Sequence, residues 1–141
     1  MKDLITTLAS IFIFSIFLLQ FSSNLSVQHR LICTDRAIDN FRGIVKEEGY
    51  VSHENRALLV SSIKEIHRCD SAEITVTGDT TKRDRGELIR YYIKYPVKNL
   101  IAAYKALGIS ESENRVYMEE ENWVVSRYQK ETEKKEDSEV E

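Results

Sequence analysis

The sequence predicts an α+β protein: a long N-terminal helix, transmembrane and then amphipathic, that carries a small antiparallel sheet. Three observations predict it. No ionisable side chain occurs from Leu4 to Gln28. Apolar residues then recur at three-, four- and seven-residue steps as far as Val45, the spacing of one helix face. Beyond Cys69 the period changes to two, the spacing of half-buried strands.

Residues 1–24 read as a transmembrane signal anchor. Leu4 to Phe21 has 13 apolar members out of 18. At about 1.5 Å per residue it is roughly 27 Å long, close to the hydrocarbon thickness of a bilayer. Its hydroxyls can bond back to the helix's own carbonyls, so they cost little in lipid. A buried core helix would need a polar face, which this run lacks. A cleaved signal would need small residues in an A-x-A-like pair, and no Ala lies between Ala9 and Ala37. The balance of basic residues across the anchor is nearly even. The short charged leader before an apolar run is the layout of an exported chain, so the expected topology is single-pass in the cell membrane with the bulk of the chain extracytoplasmic.

Residues 25–129 form the expected extracytoplasmic domain. Leu25, Leu31, Ile38, Phe41 and Val45 continue the helix, with Gly49 placed to end it. Thr34 is also placed to cap a new helix at Asp35, which leaves one spine or two collinear pieces. Ser52 caps a second helix whose inward stripe is Leu58, Leu59, Ser62, Ile63 and Ile66, ending near His67-Arg68. Ala72, Ile74 and Val76 mark a first strand. A polar loop, Gly78 to Gly86, then leads to a second strand with Ile89, Tyr91, Ile93 and Tyr95 on one face. Pro96 is expected to end that strand, because proline donates no ladder bond. Val97 to Leu107 fits a short helix, and Asn114 to Tyr128 either one long strand or a hairpin turning at Glu119 to Asn122. Residues 130–141 hold three Lys, six acids and one apolar residue, which predicts a disordered acidic tail.

Charge and motifs narrow the function. A net charge of −3 argues against binding nucleic acid through its phosphates. That deficit lies in the tail, leaving Met1 to Gln129 neutral. No nucleophile elbow, phosphate loop or H-E-x-x-H occurs, so no catalytic residue, cofactor, metal or small-molecule substrate is expected. His67 and Cys69 offer two metal ligands where zinc needs three or four, so His29, His53 and His67 read as surface residues. Cys33 and Cys69 are either a bridge or two buried thiols; a bridge would close a loop of about 37 residues and stabilise by roughly 3 to 4 kcal/mol. Ser10, Ser15 and Gln20 are the candidate contacts with other membrane helices, since such groups hydrogen-bond between packed helices.

Two segments carry a family resemblance. Ala37-Ile-Asp-Asn-Phe-Arg-Gly-Ile-Val-Lys-Glu-Glu-Gly49-Tyr-Val-Ser52, followed by Leu59 to Ile66, resembles the TadE-like minor pseudopilins within the wider group of type IV pilins. Gly86-Glu-Leu-Ile-Arg-Tyr-Tyr-Ile-Lys-Tyr95-Pro96 is similar to their Gly-led alternating strand. The resemblance implies a pilin-like fold and a structural role in a Tad or type IV pilus or secretion apparatus, with the bilayer and other membrane subunits as partners. The chain departs from the pilin pattern in having no Gly before Gly43 and no Glu before Glu47, the residue types used in pilin processing and filament assembly. The other expected class is an anchored ligand-binding or sensor domain without catalytic activity.

Overall fold

A computed structural model describes residues 2–129, so the expected acidic tail lies outside the described residues. The elements are two α-helices, α1 (Lys2–Glu48) and α2 (His53–His67), a 3₁₀ turn (Ser71–Glu73), and strands β1 (Thr75–Gly78), β2 (Leu88–Lys98) and β3 (Arg115–Val125). The layout is α+β, as the change of period predicts.

Helix α1 is one unbroken element of 47 residues, about 70 Å at 1.5 Å per residue. It does not restart at Thr34. That hydroxyl bonds back to Arg30 O at 2.9 Å, so it is occupied within the helix and caps nothing. The N-terminal part of α1 is long and apolar enough to cross a membrane: its best 18-residue window has mean hydropathy 2.2 and none of it is buried within the chain. The C-terminal half buries Thr34, Ile38, Phe41 and Val45 on one stripe.

Helix α2 packs antiparallel beneath that stripe. Ser52 caps it by accepting from Asn55 N, and Arg68 ends it in the left-handed conformation at φ 51°. Its inward face is Asn55, Leu59, Ile63 and His67, a strict four-residue step. The stripe expected from the sequence differs at its edges: Leu58 is exposed and Ile66 only half-buried, because α2 meets α1 along one narrow ridge.

The sheet has order β1-β2-β3, antiparallel throughout. Ile89, Tyr91, Ile93, Tyr95 and Val97 of β2, with Val76 of β1 and Val124 of β3, face the helices and complete the core. Phe41 meets Tyr91 edge to face, with ring centroids 5.8 Å apart. Gly78 lets β1 approach the chain closely: a Cβ there would lie 2.6 Å from Val51 Cγ2. Gly49, at φ +83°, turns the chain out of α1 where a Cβ would strike Arg83 O at 2.7 Å.

Three boundaries differ from the sequence expectation, and one open alternative is decided. Ala72 belongs to the 3₁₀ turn, held by an Asp70–Glu73 capping box, and β1 begins at Thr75. Pro96 does not end β2, because β1 pairs no further than Lys94; past that point one side of β2 is free and a missing donor costs little. Val97 to Leu107 forms no helix: Val97 and Lys98 extend β2, and residues 101–108 are successive turns. Asn114 explains this loop, since its buried amide accepts from Ile101 N at 2.7 Å and donates to Ile101 O at 3.1 Å. The last segment is one strand, because all eleven residues of β3 pair with β2 in register, Lys98↔Arg115 through Leu88↔Val125.

Candidate functional site

Polar groups converge where the apolar run of α1 ends. The Gln20 side chain donates to Leu100 O at 2.9 Å and accepts from Ala102 N at 3.0 Å, while Ser23 Oγ donates to Asn99 O at 3.0 Å. Two turns further on, Arg30 Nη2 donates to Lys98 O at 3.0 Å. These bonds fasten the loop after β2 to α1, so the domain is seated on the helix from Gln20 onward.

Beside this seam lies an open cleft of about 690 Å³. Its wall includes Ser22, Ser26 and Arg30 from α1, His67 and Arg68 from the end of α2, and Lys98 from the end of β2. Both non-glycine residues with positive φ among the described residues, Arg68 (51°) and Asn99 (62°), line it. A β-carbon in that region is sterically disfavoured, and Arg68 adopts it as the residue that ends α2.

His67 is the most constrained titratable group. It is 2% exposed, its ring lies 5.1 Å from that of Tyr95, and its Nε2 is 2.8 Å from Thr34 Oγ1. Thr34 has one hydroxyl proton, and that proton goes to Arg30 O. The tautomer follows: Nε2 carries the imidazole hydrogen and donates to Thr34, which leaves Nδ1 an acceptor without a protein partner. Burial, and then the Arg30 charge, lower the His67 pKa to about 4, so the ring is neutral at physiological pH. The surface position expected for His67 is therefore overturned. Its place four residues after Ile63 and eight after Leu59, on the buried stripe, was the signal available in the sequence.

Ion pairs surround the sheet. Glu73 takes Lys98 Nζ at 2.7 Å and Arg115 Nη1 at 2.9 Å; the hydrogen bond from Lys98 is the main reason its carboxyl sits below the usual range. The acidic triplet of β3 is neutralised within the chain. Glu119 pairs with Lys94 at 2.6 Å, Glu120 with Arg42, and Glu121 with Arg90. Arg42 also donates to the Tyr91 hydroxyl, which ties α1 to the middle of the sheet.

The residues singled out from the sequence fall in three places. Ser10 and Ser15 donate back to Thr6 O and Ile11 O on the exposed apolar half of α1. Gln20 is engaged within its own chain by the loop after β2, a use that periodicity could not reveal because its partners are some 80 residues away. Cys33 and Cys69 are free thiols. Cys33 lies on α1 with Sγ 3.7 Å from His29 Nδ1, and Cys69 is buried after α2, where burial raises its pKa. Among the described residues no three metal-ligating side chains gather. The arrangement is chemically a binding surface with cations, hydroxyls and one buried acceptor.

Comparison with protein families, curated proteins and solved structures returned no match to this chain.

Proposed function

We propose that the chain is a membrane-anchored, pilin-like subunit, a pseudopilin of the TadE-like kind, that serves a pilus or secretion apparatus by assembly and without catalysis. The observation that carries this reading is the uncovered edge of β3. Eleven residues long, it pairs on one side only among the described residues and exposes Val116, Tyr117, Met118, Trp123 and Val125. A long unpaired edge with apolar side chains at both ends is a template for pairing with another chain. Because Gln20 and Ser23 fasten the domain to α1, an anchor in the bilayer would hold this edge at a fixed height and angle for a neighbouring subunit.

The partner is another membrane-anchored subunit of the same apparatus. A photocrosslinking residue at Tyr117 or at Ser10, in native membranes, should capture a second membrane-anchored protein. Replacing Leu4 to Leu19 by a poly-Leu anchor that keeps the photocrosslinking residue at position 10 should abolish capture from the membrane position. Adducts to lipid alone from both positions, with function intact on the foreign anchor, would overturn the proposal.

The cleft favours a second reading, an anchored ligand-binding or sensor domain, in which changes at His67 or Arg68 would disable the protein while a foreign anchor would not.

A further inference from the structure

We infer that the cleft at the end of the apolar run is a head-group site for an anionic, hydroxylated phospholipid of the type of phosphatidylglycerol. The inference rests on the membrane placement of α1 in the preceding reading and adds a ligand to it. Position comes first. Leu4 to Phe21 is about as long as the hydrocarbon layer is thick, so Ser22, Ser26 and Arg30, the next two turns, stand at head-group depth. The cleft begins at Leu19 and opens along those residues, giving it an acyl-side lip and a polar interior.

Charge selects the ligand. Arg30, Arg68 and Lys98 line the cleft against Glu65 and Glu111; Lys98 is held by Glu73, which also takes Arg115, so the group counts four cations less three acids, or +1. A phosphodiester carries one negative charge and offers the planar guanidinium groups two oxygens. Basic residues at this depth are attracted to anionic leaflets. The hydroxyls of a glycerol head group would find acceptors in Glu65 and Glu111.

The test uses the full chain in nanodiscs of palmitoyl-oleoyl phosphatidylcholine containing a minor fraction of palmitoyl-oleoyl phosphatidylglycerol, with retained lipid counted by native mass spectrometry. One phosphatidylglycerol should be retained in preference to phosphatidylcholine. Arg68→Asn keeps a residue tolerant of the left-handed conformation and removes the charge, and it should lower retention about tenfold, the scale of one charge-assisted contact. Ser26→Ala, on the exposed face of α1, should give a smaller loss in the same direction. Equal retention of the two lipids, or retention unchanged in Arg68→Asn, overturns the inference. Equally tight binding of inorganic phosphate or glycerol phosphate to protein in pure phosphatidylcholine discs would reassign the cleft to a free anion and also overturn it. Vesicle flotation separates the two readings. A chain that does not float with either lipid sinks the anchor and this inference together, whereas one that floats but shows no preference sinks the inference alone.

Discussion

Acidification should destabilise this domain through a single histidine. His67 is 2% exposed, donates to Thr34 and has its pKa lowered to about 4. In the unfolded chain an ordinary histidine takes its proton near pH 6.5. The folded pKa lies below the unfolded one, so the unfolded state binds the proton first and stability falls as pH drops through this window. Full stability holds above about pH 6.5. The loss grows to about 2 kcal/mol by pH 5 and levels at about 3 kcal/mol below pH 4, at 1.36 kcal/mol per pKa unit. That is a large share of a typical domain stability of roughly 5 to 15 kcal/mol. Glu73 and Glu119, held below the usual carboxylate range by Lys98 and Lys94, add their losses only at lower pH. The assay is urea unfolding of the full chain in detergent, followed by circular dichroism from pH 7.5 to 5. His67→Gln retains a donor for Thr34 and should flatten the profile over that range. A wild-type profile already flat between pH 7 and 5, or an identical slope in His67→Gln, would refute the buried neutral histidine.

Further outcomes follow from individual contacts. Phe41→Ala removes a 3% exposed ring and its edge-to-face contact with Tyr91, and should destabilise the domain by about 3 to 5 kcal/mol in the same unfolding measurement. Gln20→Leu should release the loop after β2 locally: amide exchange at Ala102 should rise severalfold, while Ile101, whose N–H goes to Asn114 Oδ1, stays protected.

Sequence alone determined the parts of this protein that depend on periodicity. An uncharged run of 25 residues set the length and exposure of the first half of α1, and the three-to-four spacing of Ile38, Phe41 and Val45 set the buried face of the second half. The alternation at Ile89, Tyr91, Ile93 and Tyr95 likewise set which face of β2 looks inward, because a strand has only two faces to offer.

What tertiary structure decided was every feature whose cause lies far along the chain. Val97 to Leu107 has helical spacing, yet pairing of Lys98 with Arg115 and the Asn114 amide bracket draw it into strand and turns. Pro96 stays in β2 because β1 happens to be too short to need its donor. Gln20 turns inward to a loop some 80 residues away, and His67, read as a surface residue, becomes a buried donor to Thr34 because α2 packs on α1 there. Local propensity is worth tenths of a kcal/mol per residue, while one buried side chain or satisfied polar group is worth one to several. Where the two disagree, the long-range contact wins, and the cleft is assembled entirely from such contacts.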